Sequence, residues 1–170
     1  MVNPFAKAAQ RVAVLVDTQN VYHSAKHLYQ RNVDFGRLVE HIVGERQLVR
    51  AFAYVIKSDL NEREVAFFDA LLHKGIELRM KDLITFSSGE KKADWDVGLA
   101  IDAVRVASHV DAIILVTGDG DFIPLVEHLK SLGVLVEVAG FGQSTAAKLK
   151  EVADFYYDLA EAHREILLRK

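Results

Sequence analysis

The sequence predicts a three-layer α/β fold in which helices flank a mostly parallel central sheet. Two short runs, Val12 to Val16 and Ala112 to Val116, are continuously apolar and rich in β-branched residues, as strands buried on both faces are. Segments with helical periodicity of about ten residues or more separate the strand-like runs, which implies crossover connections and parallel pairing. The 170 residues are 51% apolar and 26% charged, enough for one real core and therefore for a single domain spanning 1–170.

In chain order, the first strand (12–16) leads into a helix over 21–30. A second helix over 35–43 follows Asp34, a fitting N-cap. A strand over 48–56 precedes a helix over 60–73, which Gly75 stops. A strand over 76–80 and a polar, glycine-containing loop, Ser87 to Glu90, lead to a helix over 95–108. The second apolar strand (112–116) comes next, then a helix over 122–132 stopped by Gly133, a strand over 134–138 and a helix over 146–151. Phe155-Tyr156-Tyr157 reads as a short last strand or a core-covering turn whose bulk could also make a dimer contact, and a helix over 161–168 closes the chain.

Composition excludes several classes of function. With 21 basic against 24 acidic side chains the formal charge is −3, so nucleic-acid binding has to come from a local patch rather than a global field. Cysteine is absent, which removes disulfides, thiolate metal sites and a cysteine nucleophile. The first ten residues show no apolar core with a cleavage site, and no run approaches the roughly 20 apolar residues of a membrane span. A cytoplasmic protein without membrane contact is expected.

The informative acids sit at strand ends. The first strand runs into Asp17, and the later one into Thr117-Gly118-Asp119-Gly120-Asp121. In open parallel sheets the working site lies beyond the carboxyl ends of the strands, where strand order reverses. If these two strands are neighbours, their ends lie about 5 Å apart. Asp121 would then cap the next helix or share the site. Asp94 and Asp96 start another helix, beside Lys91, Lys92 and Trp95, and either could project into the same place. Carboxylates gathered so closely repel one another unless a cation neutralises them. An all-oxygen donor set favours magnesium or manganese over zinc. Such an ion suits phosphodiester hydrolysis, because it can activate water and stabilise charge on the phosphoryl oxygens.

These residues carry a family resemblance. Val12 to Val21 resembles the opening hhhhDxxN motif of NYN domains, in the LabA-like branch of the PIN-like nucleases. Lys92 to Asp102 is similar to the family's K-G/A-x-D-V-x-L-A-x-D segment, and Thr117 to Phe122 to its S/T-G-D-x-D-F signature. Val136 to Gly140, Ser144 to Leu149 and Ala153-Asp154-Phe155 resemble its closing stretch. The resemblance implies a Rossmann-like (PIN-like) sheet, an acidic metal site and RNA, single-stranded or structured, as substrate. By position, Asp17, Asp96, Asp119 and Asp121 would hold Mg2+ or Mn2+ directly or through water. Asn20 would orient a water or a substrate phosphate, and Thr117 would hydrogen-bond a ligand carboxylate. Asp102, about 120° round the helix from Asp96, reads as a supporting acid. Asp94 and Trp95 are inserted before the Asp96-Val97 pair, so Asp94 could exchange roles with Asp96. The expected function is a metal-dependent endoribonuclease. The alternative is an RNA-binding or regulatory module that keeps the pocket with little or no turnover, since the branch includes proteins described as regulators.

Other readings fare worse. A phosphatase of the haloacid-dehalogenase type needs a second acid where Gln19 stands, and a Toprim-type site needs glutamate where Asp17 stands. His23 and His27 have i, i+4 spacing but no accompanying glutamate, so they read as a surface pair. Arg79, Lys81, Lys91 and Lys92, with Lys57 and Arg63 beyond them, are the candidate phosphate-holding patch. Ser58 or Asp59 caps the next helix. Trp95 and Phe86 could stack on a base, with core packing the preferred role for Trp95. A homo-oligomer is possible on this sequence. Without the four candidate ligands, 20 acids face 21 bases, so the acidic surplus can be assigned to one pocket.

Overall fold

The computed structural model describes residues 3–57, 62–82, 84–85, 91–92 and 94–168. β1 (Arg11–Asp17) is followed by α1 (Thr18–Tyr29) and α2 (Phe35–Val43), and β2 (Gln47–Lys57) by α3 (Glu62–His73). β3 (Glu77–Asp82) leads through two short strands, β4 (Ile84–Thr85) and β5 (Lys91–Lys92), to α4 (Asp96–Ala107). β6 (Ala112–Val116), a 3-10 turn (Gly120–Phe122), α5 (Ile123–Ser131), β7 (Leu135–Gly140), α6 (Ala147–Val152), β8 (Phe155–Asp158) and α7 (His163–Ile166) complete the order.

Six strands form one sheet in the order β3-β2-β1-β6-β7-β8, and every neighbouring pair in it is parallel. The predicted α/β class is therefore the observed one. Strand order reverses between β1 and β6, whose residues pair in register from Val12↔Ala112 to Val16↔Val116. These two strands are central, and all ten side chains from 12–16 and 112–116 are 0% exposed. That is why their sequences do not alternate.

Alternation along β1 divides the core. Val12, Val14 and Val16 pack on one face with Val21 and Ala25 of α1, Leu38 and Ile42 of α2, Leu71 of α3 and Ile166 of α7. Ala13 and Leu15 pack on the other with Leu99 and Ala103 of α4, Val126 and Leu129 of α5, and Leu149 of α6. The crossovers thus lie on both faces, winding outward from the β1–β6 seam.

Most predicted boundaries hold within two residues, including the Asp34 cap, whose side chain accepts from the Arg37 N–H at 3.1 Å. Gly75 and Gly133 take the left-handed conformation at φ +73° and +84°, as helix stops require. The helix expected over 122–132 is α5 (Ile123–Ser131), entered through a 3-10 turn that Asp119 tightens by accepting the Asp121 N–H. The closing helix is only His163–Ile166, since Leu167 leaves it to bridge Val33. The β4–β5 hairpin was not foreseen, since two-residue strands carry no readable period. Phe155 to Tyr157 belong to strand β8. Ser58, Asp59 and Phe86 lie outside the described residues.

One buried ion pair ties the two halves of the sheet together. Arg46, 3% exposed in its side chain, forks onto Glu137 of β7 with contacts of 2.7 and 3.0 Å. Its remaining donors satisfy the Ile42 and Val43 carbonyls at the end of α2. The Tyr157 hydroxyl donates to Glu137 at 3.0 Å, and burial pushes that phenol's pKa up to about 12. A fully paired buried charge is tolerated, but a half-removed one is costly. Glu137→Gln is expected to destabilise the fold by about 3–5 kcal/mol in chemical denaturation. A loss below about 1 kcal/mol would show that the pair contributes nothing.

Candidate metal centre

Asp17 ends β1 and caps α1 at once. Its Oδ1 accepts the Asn20 N–H at 3.2 Å and its Oδ2 accepts the Thr117 hydroxyl at 3.2 Å. Thr117, 1% exposed at the end of β6, accepts in turn from the Asp119 N–H at 3.2 Å. Asn20 closes the seam, because its Oδ1 accepts the Gly118 N–H at 2.8 Å. The two strand ends are thus fastened by side chains where the backbone ladder stops.

Gly118 is required by space. A Cβ there would stand 2.5 Å from the Ser144 carbonyl oxygen, and the same turn is fixed by the Ala146 N–H donating to Gly118 O at 2.9 Å.

The third acid arrives on α4. Asp96 is the first residue of that helix, and the helix is braced against β2 and β3 by the tryptophan before it. Trp95 donates its indole N–H to the Val55 carbonyl at 2.9 Å and tilts against Tyr54, ring centroids 5.4 Å apart. Its ring folds over Gly98, where an added Cβ would lie 2.6 Å away. Lys81 covers the other side, with Nζ 4.4 Å from the ring centroid and 2.8 Å from the Asp94 carbonyl oxygen. Trp95 therefore works mainly as packing, as expected.

Asp96, Asp119 and Asp121 each offer a carboxylate oxygen, and these atoms lie within 4.8 Å of one another. Asp17, Asn20, Asp94, Asp96 and Asp119 line one cleft of about 230 Å3, together with Gln19, Tyr54 and Trp95. Burial raises the pKa of Asp17; its bonds from Asn20 and Thr117 pull it back, and the Asp96 and Asp119 charges raise it further. Asp96 is raised by burial and then by the Asp94, Asp119 and Asp121 charges, against the pull of Lys81. Two like charges at this spacing repel by about 3 kcal/mol at a surface-like dielectric. The site thus has hard oxygen donors, too much negative charge and room between them, and a divalent cation fits it.

The structure brings Asp17, Asp96, Asp119, Asp121, Asn20 and Thr117 together, with Asp94 at the cleft wall and outside the close trio. Asp102 points elsewhere, accepting the Tyr54 hydroxyl at 3.1 Å and Arg79 Nε at 2.8 Å. It ties α4 to β2 and β3. Lys57 pairs with Asp82 at 3.6 Å. The side chains of Arg63, Lys91 and Lys92 lie outside those described. His23 and His27 are exposed on α1. Tyr54 was missed from sequence, although it sits opposite Asp17 in the β1–β2 register. No strand-end signal marks it, since β2 runs on to Lys57.

A family model for the NYN domain matches residues 11–160. The chain belongs to the NYN family. This places it within a superfamily of nucleases, and all three motifs read from the sequence fall inside the match. The chain is 29% identical over 160 residues to the low amplitude and bright protein LabA of Synechococcus elongatus, covering 88% of this chain and 83% of that one. It is 26% identical to an uncharacterised protein of Methanocaldococcus jannaschii, covering 91% of this chain but only 58% of that one. A crystal structure of a Vibrio parahaemolyticus protein of unknown function superposes with a TM-score of 0.85 at 34% identity, covering 96% and 99% of the two chains.

The raised pKa of Asp96 gives a signed pH dependence. An acid whose folded pKa lies above its unfolded value favours the fold at low pH and loses that contribution as pH rises through the folded pKa. In chelator, Asp96→Asn should therefore melt higher than the wild type at pH 7. The gap should close as pH falls towards the ordinary carboxylate value of 3.8. A gap that is constant with pH would remove the charge crowding from this description.

Proposed function

We propose that this chain is a metal-dependent endoribonuclease, hydrolysing RNA phosphodiester bonds at the acidic centre with Mg2+ or Mn2+. The observation that carries the reading is the convergence of Asp96, Asp119 and Asp121 within 4.8 Å beside Asp17, at the switch point of a parallel sheet. Membership of a nuclease superfamily supports it.

Asp17, Asp96, Asp119 and Asp121 would hold the cation, directly or through water. When bound, that ion supplies charge neutralisation at the phosphate and a more acidic water. The protein's own part is positioning. The Asn20 N–H and the Thr117 hydroxyl fix the Asp17 carboxylate in one rotamer, and hydrogen bonds around such ligands orient them. With its carbonyl oxygen occupied by Gly118, Asn20 has its amide NH2 to offer a substrate phosphate oxygen. Lys81 stands beside the cleft and offsets part of the approaching backbone charge.

Asp17→Asn and Asp119→Asn are each expected to lower manganese-dependent cleavage of RNA by at least about 100-fold with the fold retained. Thr117→Val is expected to cost about 10–100-fold, the usual effect of losing a group that orients a ligand. Cleavage by highly purified Asp17→Asn at the wild-type rate would refute the mechanism. Manganese binding with no cleavage of any RNA would favour a regulatory, binding-only protein.

A further inference from the structure

On the α4 side of the sheet the outer strands carry a cluster that the acidic centre does not use. α4 lies over β1 and β6, while alternation turns Arg50 and Phe52 of β2, and Glu77 and Arg79 of β3, to the same side. The guanidinium carbons of Arg50 and Arg79 stand 4.7 and 4.8 Å from the Phe52 ring centroid. Arg50 forks onto Glu77, with Nε 2.7 Å from Oε1. Arg79 Nε donates to Asp102 at 2.8 Å, and Arg105 of α4 reaches the other Asp102 oxygen at 3.8 Å.

Three guanidinium groups therefore gather round two carboxylates and leave a positive excess. The side chains are 46%, 35% and 77% exposed for Arg50, Arg79 and Arg105. The terminal nitrogens of Arg79 and Arg105 make no hydrogen bond among the described residues, so planar forks face solvent with donors to give. The exposed Arg50–Glu77 pair adds little stability, and the contact by which Arg79 holds Asp102 and α4 uses only its Nε, so packing does not account for the remaining donors. Tyr54 joins it to the cleft, lining the acidic centre while its hydroxyl donates to Asp102.

We propose that Arg50, Arg79 and Arg105 form a phosphate-binding subsite for the single-stranded RNA segment flanking the bond cut at the acidic centre. This rests on the ribonuclease reading. An acidic cleft repels the RNA backbone, so affinity has to come from cations placed beside it. Guanidinium forks match phosphate oxygens in pairs where an ammonium does not. Glu77 and Asp102 hold the arginines extended before RNA arrives, which lowers the ordering cost. The contacts are to phosphate and carry no base preference.

The test is RNA affinity against salt, with a fluorescent single-stranded RNA, magnesium and the full chain carrying Asp17→Asn so that RNA is not consumed. Arg105→Gln added to this background should weaken binding several-fold and flatten the log–log salt slope by about 0.7, one phosphate contact. Adding Arg50→Gln should flatten it by about as much again. Arg37→Gln, an exposed cation of α2 on the opposite face, should move neither. An unchanged slope in the double variant, or a parent that does not bind RNA, would overturn the subsite. Manganese-dependent cleavage of the same single-stranded RNA by the wild type reads the nuclease activity separately. Cleavage without a slope change overturns the subsite alone. A slope change without cleavage supports the arginines as RNA-phosphate ligands and overturns the nuclease.

Discussion

The parallel pairing of β1 with β6 sets the distances on which the site depends. Because Val16 lies opposite Val116, the next residues on the two strands, Asp17 and Thr117, come within one hydrogen bond of each other. Thr117 then orients Asp119 through its backbone, and Asn20 reaches back to Gly118. A slip of one residue along this seam would turn Asp17 and the alternating valines to the opposite face of the sheet. Core packing and site geometry are therefore one constraint: the two sets of apolar side chains that seat β1 between its helix layers also aim its terminal carboxylate.

α4 closes the site from a distance. Its first residue, Asp96, belongs to the carboxylate trio, but the helix is held by contacts farther out, Trp95 on Val55 and Asp102 on Tyr54 and Arg79. The brace works against the repulsion it creates, since burial and neighbouring acids both raise Asp96. A divalent cation between the three carboxylates would offset that cost. The excess of arginine on the outer strands complements it, placing cations where a polyanion would run beyond the acidic centre.

Much of this was legible in the sequence because strong physical signals carry it. Continuous apolar runs marked β1 and β6, glycines marked the stops after α3 and α5, and acids at two strand ends marked the centre. Long-range pairing left weaker traces. The β4–β5 hairpin is too short to show a period, and α7 is cut short by the Leu167 bridge to Val33. The buried pair of Glu137 with Arg46 carries no local sequence signal, since the partners lie 91 residues apart. Arg79 read as one of the phosphate-holding cations, but its Nε contact with Asp102 depends on how α4 crosses the sheet and left no sequence trace.

The central claim is that the convergent aspartates hold a divalent cation. Anomalous diffraction from a crystal soaked in manganese tests it most directly. A peak between Asp96, Asp119 and Asp121, with Asp17 in reach directly or through water, is the expected result. A well-ordered cleft with no anomalous density at saturating manganese would contradict it.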